Sequence, residues 1–245
     1  MVESWLGLMI GNSRLHLGLF EGEDFVYSWD SDYLLTPELP CPLNAHLPLH
    51  LASVVPSQTV LWQNYPNVKL ISLENIALTQ MYPTFGIDRA LAVLGAGQVL
   101  GFPVLVIDVG TALTFTGADS NKALVGGAIL PGLSMQMTML EVRTGALPKV
   151  DLPQKLPSRW AINTPEAIQS GVIYTILAGI IDFVTSWWND FPQSQVVMTG
   201  GNSTLIYSYL QSETPEIATH IVVEHNLIFW GMSFSCGAGI PARPK

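Results

Sequence analysis

Three glycine turns, each following an apolar run, are the first features of this sequence that could do chemistry. They read IGNS at residues 10–13, DVGT at 108–111 and TGGN at 199–202. The small residues of such turns leave backbone N–H groups able to face an anion. One turn of this kind would be ordinary, since glycine commonly ends a strand. Three of them, with a carboxylate in the middle copy, predict a nucleotide held by backbone donors from two parts of the chain.

Asp108 ends the run VLVIDVG, which is typical of a strand buried on both faces. An unpaired carboxylate is costly in such a place, so we expect a cation or a charge-assisted hydrogen bond to compensate it. The alternative is that Asp108 only caps the turn that follows. Thr111 offers a hydroxyl and a backbone N–H to the same anion.

Asp88 and Arg89 are adjacent in a chain that has only ten basic residues. Asp88 begins a helix predicted over residues 88–100, where the helix dipole favours a carboxylate. A capping role alone would explain Asp88, but it would not explain the arginine beside it. Next to a glycine, an Asp-Arg pair can take a proton from a hydroxyl and hold a carboxylate.

The composition narrows the class of protein. The 245 residues are 49% hydrophobic and 12% charged, which predicts a sizeable core in one large domain or two packed ones. The most apolar stretch, residues 171–188, is interrupted by Asp182 and favours a buried helix over a membrane span. A net charge of −9 argues against a nucleic-acid partner. Cys41 and Cys236 lie far apart and predict neither a disulfide nor a zinc site. We expect a soluble cytoplasmic protein with no signal sequence.

Strands and helices alternate along the chain in two halves. The first half begins with a hairpin over residues 8–20, followed by a connection over 21–46 and strands over 50–58 and 67–73, the former ending at a Pro-Ser turn. The second half has strands around its two glycine turns and a long helix that begins at Asn163 or Thr164. Each half opens with a strand and a glycine turn. The pattern predicts two related α/β lobes, residues 1–102 and 103–245, with a ligand between them.

In family order, these pieces resemble the type III pantothenate kinases of the acetate/sugar kinase–Hsp70–actin superfamily. The matching segments are IGNSRLHLGLF, ASVVPS, GIDRALAVLGA, IDVGTALTF, GGAILPGL, NTPEAIQSG and MTGGN, which span essentially the whole chain. The resemblance implies an α/β fold of two actin-like (ribonuclease H-like) lobes with a nucleotide cleft between them. It also implies transfer of the ATP γ-phosphate to pantothenate, the first step of coenzyme A synthesis.

The resemblance further implies a role for particular residues. Asp88 would be the catalytic proton acceptor, and Asp108 would be the ligand of a potassium or ammonium ion. The substrate set would be Tyr82, Gly86, Ile87, Asp88, Arg89 and Thr164. ATP, with Mg²⁺, would bind to Met9, Ile10, Gly11, Asn12, Ser13, Arg14, Leu15, His16 and Thr111. A homodimer is implied, with the substrate pocket formed partly by the partner chain.

The chain departs from the family pattern in three places. Met9 stands where an aspartate usually precedes the first turn, and Thr116 stands where a second aspartate is common, although Asp119 follows closely. The spacing from Tyr82 to Gly86 is shorter than usual. The hypothesis is a working kinase that binds magnesium and nucleotide weakly. The alternatives are a kinase for a sugar or another small hydroxy or carboxylic acid, and a non-catalytic regulatory or binding protein of the same fold.

Overall fold

A computed structural model of the protein describes residues 4–39 and 47–237. The strands in chain order are β1 Ser4–Ile10, β2 Leu15–Glu21, β3 Asp24–Ser31, β4 Leu49–Ser53, β5 Val68–Leu70, β6 Val104–Val109, β7 Ala112–Ala118, β8 Leu124–Pro131, β9 Gln195–Thr199 and β10 Ile221–Val223. The α-helices are α1 Pro56–Trp62, α2 Ile87–Leu100, α3 Leu133–Arg143, α4 Thr164–Asp190, α5 Ser203–Glu213, α6 Pro215–Ala218 and α7 Leu227–Ser235, and a 3-10 helix covers Leu73–Asn75.

The chain divides into two compact units, and the division falls between Gly101 and Phe102. This is within one residue of the predicted lobe boundary. The first unit, however, also contains Lys122–Leu124 and the described residues from Asn226 onward. The prediction assigned all of residues 103–245 to the second lobe, so the position of α7 in the first unit is a difference. Its cause is packing: α7 lies against α2.

Each unit is built on a five-stranded mixed sheet, and the two sheets have the same strand order. The first runs β3-β2-β1-β4-β5, and the second, read from its other edge, runs β8-β7-β6-β9-β10. In both, the central strand pairs antiparallel on one side with the strand that follows it in the chain, and parallel on its other side with the third strand after it. The predicted pair of related α/β lobes is therefore confirmed at the level of topology.

Two local predictions in the first half are wrong. Residues 24–31 form strand β3, within the segment predicted to be a connection. This strand lies at the edge of its sheet and most of its residues are exposed, so it lacks the apolar alternation that announces a strand. Pro56 does not end a strand at a turn. It begins helix α1, where its fixed backbone angle and missing N–H are tolerated. Residues 40–46 of the predicted connection lie outside the described residues.

Helix α4 forms one wall of the second core. Its buried face, from Ile168 to Trp187, packs with residues of β6, β7 and β9 in one hydrophobic cluster. The helix begins as predicted, because the Asn163 side chain accepts a hydrogen bond of 3.0 Å from the backbone N–H of Glu166. Within the described ranges, α4 is the single helix long and apolar enough to cross a membrane by length and composition, and 44% of its most apolar window is buried.

Helices α2 and α7 touch backbone to backbone in the first unit. A Cβ placed on Gly95 would lie 2.1 Å from the carbonyl oxygen of Leu227, and one placed on Gly231 would lie 2.1 Å from that of Leu91. No side chain fits at either place. The two glycines therefore set how closely the helices pack. They also fix the direction of the α2 axis and, with it, the position of the first residues of α2.

Candidate active site

The first glycine turn joins β1 to β2 as a tight hairpin. The backbone N–H of Gly11 donates a 3.1 Å hydrogen bond to the carbonyl oxygen of Arg14, and Asn12, Ser13 and Arg14 are exposed at the tip. Met9 behaves differently, because its side chain is only 1% exposed. The hairpin thus offers backbone and side-chain donors at its tip, while a thioether fills the place expected to hold an acid.

A carboxylate that the sequence analysis missed lies beside this hairpin. Asp30 Oδ2 accepts a 3.1 Å hydrogen bond from Arg14 Nη1, and its Oδ1 lies 2.7 Å from His16 Nδ1. Asp30 belongs to β3, inside the segment predicted to be a connection. The hydroxyl of Tyr33, from the chain just after that strand, donates a 2.5 Å hydrogen bond to the carbonyl oxygen of Gly11. Recognition of either residue requires the strand register, which the sequence pattern did not reveal.

The start of α2 gathers the predicted substrate residues of the first unit. Gly86 is the N-cap, and Asp88 Oδ1 accepts a 2.8 Å hydrogen bond from the backbone N–H of Arg89. The carboxylate folds over Gly86 so closely that a Cβ there would lie 2.4 Å from Oδ1. Ile87 is buried, so its side chain belongs to the core. The sequence predicted that Asp88 begins the helix. The helix instead begins at Ile87 with Gly86 as its N-cap, and the Asp88 carboxylate lies in the first turn.

Arg89 is held in place by aromatic neighbours. Its side chain is 8% exposed, Nη1 donates a 3.1 Å hydrogen bond to the hydroxyl of Tyr82, and the guanidinium lies 5.0 Å from the centre of the Phe85 ring. A buried arginine needs such partners because its charge is otherwise desolvated without compensation. Despite its short spacing, Tyr82 therefore belongs to the same cluster. The sequence analysis did not single out Phe85. Its position directly before the glycine in YPTFGIDR is the feature that could have identified it.

In the second unit, Asp108 lies where three turns meet. Strands β6 and β9 are parallel neighbours with Asp108 opposite Thr199, so the turns after them are brought together. The N–H of Asn202 donates to the carbonyl oxygen of Val109 at 3.0 Å, and the N–H of Gly132 donates to that of Thr111 at 3.0 Å. The sequence predicted that the turns at 108–111 and 199–202 contribute to one nucleotide site, but it did not include the turn at Gly132. The sheet makes them one site.

Glycine is required beside the Asp108 carboxylate. A Cβ on Gly200 would lie 2.3 Å from Asp108 Oδ1, and one on Gly110 would lie 3.2 Å from the same atom. Gly200 also has φ +91°, a backbone conformation that other residues rarely adopt. The carboxylate therefore sits in a cradle of bare backbone. A hard oxygen donor in such a cradle fits an alkali or ammonium ion that completes its shell with other oxygens. Within the described residues there is no group of three or more His, Cys, Asp or Glu residues that could hold a metal ion.

Thr164 is the first residue of α4 and is exposed. It borders a cavity of about 770 Å³ in the second unit. The polar part of the wall also includes Gln136, Asn163 and Thr175. The remaining wall is mostly aliphatic and includes residues of α3 and α4. A cavity of this size is in the range that holds a small metabolite.

The other residues singled out from the sequence have structural roles. Thr116 is 1% exposed on β7, and Asp119 Oδ1 accepts a 2.8 Å hydrogen bond from the backbone N–H of Asn121 in the next turn. Cys236 Sγ lies 2.7 Å from His50 Nδ1 in the first unit. Burial raises the pKa of the Cys236 thiol to about 11, although nearby Lys69 lowers it in part, so this thiol is protonated near neutral pH. Cys41 lies outside the described residues.

Comparison with known proteins identifies the family. A model of the family described as "Type III pantothenate kinase" matches residues 49–186. The chain is 51% identical to a type III pantothenate kinase from a Nostoc species, over 93% of this chain and 92% of that protein. It is 47% identical to one from a Synechocystis species, over 94% and 89%. The chain belongs to the type III pantothenate kinase family.

Solved structures agree with this assignment at the level of the fold. A Campylobacter jejuni protein described as a Baf family transcriptional activator has a TM-score of 0.64 at 19% identity, covering 95% of this chain and 97% of that one. MreB 5 of Spiroplasma citri, bound to AMPPNP, has a TM-score of 0.51 at 11% identity, covering 96% of each chain. The predicted family and the actin-like fold class are therefore confirmed. Type III pantothenate kinases use ATP to phosphorylate pantothenate in coenzyme A biosynthesis. This kinase is similar to them in sequence over most of its length.

The cradle around Asp108 leads to a stability prediction. Gly200→Ala places a methyl group against Asp108 and forces a strained φ, so we expect the free energy of unfolding to fall by about 2–4 kcal/mol. Gly201→Ala is the matched control, because nothing lies within 4 Å of a Cβ there. Its unfolding free energy should stay within about 0.5 kcal/mol of the parent. Denaturant unfolding measures both. Equal stability of the two variants would contradict the cradle.

Proposed function

We propose that this chain transfers the γ-phosphate of ATP to the terminal hydroxyl of pantothenate and so makes 4'-phosphopantothenate in the cytoplasm. The observation that carries the proposal is its 51% identity to a type III pantothenate kinase over nearly the full length of both proteins. The start of α2 supplies the proposed base, Asp88, and a cationic side chain, Arg89, and Asp108 supplies a carboxylate for a monovalent cation. Phosphoryl transfer depends mainly on positioning and on neutralisation of charge.

Asp88 is the proposed proton acceptor. Its Oδ1 is already held by the backbone N–H of Arg89, which orients the carboxylate and leaves Oδ2 as the atom that takes the hydroxyl proton. The proton is transferred late, as the oxygen of pantothenate approaches the phosphorus. A carboxylate fixed at the start of a helix has little rotational freedom to lose when the substrate binds. It is therefore better suited to accept the proton than a mobile acid on the surface.

Arg89 and Tyr82 are the proposed partners of the pantothenate carboxylate. Arginine binds carboxylates through two parallel N–H donors, and the contact with Phe85 and Tyr82 fixes the plane of the guanidinium. Tyr82 is 43% exposed, so its hydroxyl is accessible to a small molecule. Gly86 and Ile87 are proposed to contact pantothenate through their backbone, and Thr164 is a further proposed substrate residue.

The proposed ATP-binding groups are the hairpin of residues 9–16 and Thr111. The exposed tip of the hairpin provides backbone amides, the guanidinium of Arg14 adds a charged donor, and the imidazole of His16 adds a polar side chain. Thr111 adds a hydroxyl beside the Asp108 cradle. Mg²⁺, when bound with ATP, supplies neutralisation of the triphosphate charge. Because Met9 provides no carboxylate to that ion, we expect the affinity for Mg-ATP to be lower than an aspartate there would give.

A homodimer is also proposed. Three apolar side chains on helix α3, those of Met135, Met139 and Val142, are 40%, 42% and 66% exposed. Their spacing of four and three residues places them on one face of the helix. The same helix contributes Gln136 to the cavity beside Thr164. An apolar face of this kind favours a second copy of the chain as its cover, on the helix that borders the cavity beside Thr164.

The proposed base leads to a kinetic prediction. With ATP and pantothenate the parent should release ADP in a coupled assay, and Asp88→Asn should lower kcat by roughly two to four orders of magnitude. The amide oxygen can still accept from the Arg89 N–H, so the unfolding free energy should change by less than about 0.5 kcal/mol. Asp190→Asn makes the same change at an exposed position at the end of α4 and should leave kcat unaltered.

The outcomes separate the alternatives. ADP release by the parent with a sugar or another hydroxy acid, but not with pantothenate, would show a different kinase. If Asp88→Asn turned over within a few-fold of the parent, Asp88 would be a helix cap without a catalytic role.

A dependence on the monovalent cation is the next prediction. Asp108 is the one charged ligand proposed for potassium or ammonium, so the parent should be active in either salt and nearly inactive in sodium or lithium. Asp108→Ala should lose most of the rate together with this dependence. Asp190→Ala serves as the control for removal of a carboxylate. Equal parent activity in all four chloride salts would rule out the proposed cation role.

The assembly is tested by sedimentation. The parent should sediment as a dimer, and Met139→Glu should sediment as a monomer with little activity, because burying a charge against a second copy is unfavourable. Val60→Glu is the matched control, since Val60 is 64% exposed on α1 of the first unit and should leave the dimer intact. A parent that sediments as a fully active monomer would contradict the proposal.

A further inference from the structure

One short segment of the chain contacts the proposed ATP hairpin at three points. Asp30, on β3, accepts from Arg14 Nη1 at 3.1 Å and pairs with His16 Nδ1 at 2.7 Å. Three residues later, the Tyr33 hydroxyl donates to the carbonyl oxygen of Gly11 at 2.5 Å. The guanidinium of Arg14, the imidazole of His16 and the backbone of the turn are therefore held from outside the hairpin.

The strand register explains how Asp30 reaches His16. His16 lies directly opposite Met9 on one side and directly opposite Asp30 on the other. Residues directly opposite each other on antiparallel strands project from the same face of the sheet, so the imidazole stands between the buried thioether and the carboxylate. The row of neighbouring residues Met9, His16 and Asp30 therefore contains an acid, but on the third strand instead of the first.

The carboxylate also determines how the imidazole is presented. An ionised carboxylate only accepts hydrogen bonds, so a hydrogen bond to Asp30 places a proton on His16 Nδ1. The opposite ring nitrogen, Nε2, then faces the turn, where a Cβ on Gly11 would lie 3.4 Å from it. Asp30 thus holds the imidazole with one edge on β3 and the other at the tip of the hairpin.

We propose that Asp30 and Tyr33 are positioning residues for ATP, an inference that rests on the proposed function. They do not contact the nucleotide. Asp30 holds the Arg14 guanidinium and the His16 imidazole in fixed orientations before the phosphates arrive, and Tyr33 holds the turn at Gly11. Arginine has many rotamers in solution, and fixing them in advance reduces the entropy lost when a ligand binds.

If Asp30 acted on ATP only through its charge, its removal would change the affinity for ATP in the opposite direction. A carboxylate near a triphosphate repels it, so removal of the charge alone would strengthen ATP binding, most strongly at low ionic strength. If Asp30 acts by positioning, its removal weakens ATP binding instead. The direction of the change therefore distinguishes the two roles.

The experiment is a steady-state comparison of variants. Asp30→Asn and Tyr33→Phe should each raise KM for ATP by about three- to ten-fold, while kcat and KM for pantothenate stay within about two-fold. Asp24→Asn is the matched control, because Asp24 is an exposed aspartate at the other end of β3. When Arg14 and His16 are both replaced by alanine, Asp30→Asn should cause no further increase, because its effect passes through those side chains.

Each result decides the proposal. A KM for ATP that stays the same or falls in Asp30→Asn overturns it, and so does an additional increase in the background without Arg14 and His16. If the parent shows no turnover with pantothenate, the proposed function fails by itself. The same variants are then titrated with Mg-ATP in a calorimeter, where weaker binding by Asp30→Asn supports positioning. Equal binding, or no binding by the parent, overturns it.

Discussion

The backbone contact between α2 and α7 is the constraint on which the candidate site of the first unit depends. At Gly95 and Gly231 the helices leave no room for a side chain. Helix α7 also lies against the hairpin sheet, since a Cβ on Gly18 would be 2.7 Å from the Phe229 ring and one on Gly7 would be 3.0 Å from Met232 Sδ. One helix therefore packs against both elements that carry candidate residues, α2 with Asp88 and the sheet with the ATP hairpin. Larger residues at these contacts would move the elements apart.

The repeated topology places Met9 and Asp108 at equivalent positions. Each is two residues before the glycine that follows the central strand of its sheet, and each has an antiparallel partner on one side and a parallel partner on the other. In the second unit the parallel strand ends at Thr199, and the bare backbone of Gly200, the next residue, leaves space for the Asp108 carboxylate. In the first unit the same position holds a buried thioether. The duplicated topology thus makes the two turns comparable, and they differ in having a carboxylate in the second unit and a thioether in the first.

Much of this arrangement could be predicted from the sequence, and the exceptions have physical causes. The apolar runs before Gly11, Asp108 and Gly200 predict interior strands of a sheet, because buried strands are continuously apolar. Strand β3 could not be predicted, since an exposed edge strand has no such pattern, and Asp30 was lost with it. The arrangement around Arg89 was predicted only in part. Because Asp88 and Arg89 are adjacent, the sequence suggested that they act as a pair. The contacts of the Arg89 guanidinium with Phe85 and Tyr82 depend on how the surrounding side chains pack, which the sequence does not reveal.

The position of α7 also affects how the protein is made. Synthesis proceeds from the N-terminus, so β1 to β5 and α2 emerge first, yet they lack their last helix until residues 227–235 have left the ribosome. The second unit is nearly continuous in the chain, from Phe102 to His225, and all of it is translated before that helix. The half that begins first is therefore completed last. In the interval, the faces of α2 and the hairpin sheet that α7 covers are exposed, and these are the surfaces a chaperone would meet on the nascent chain.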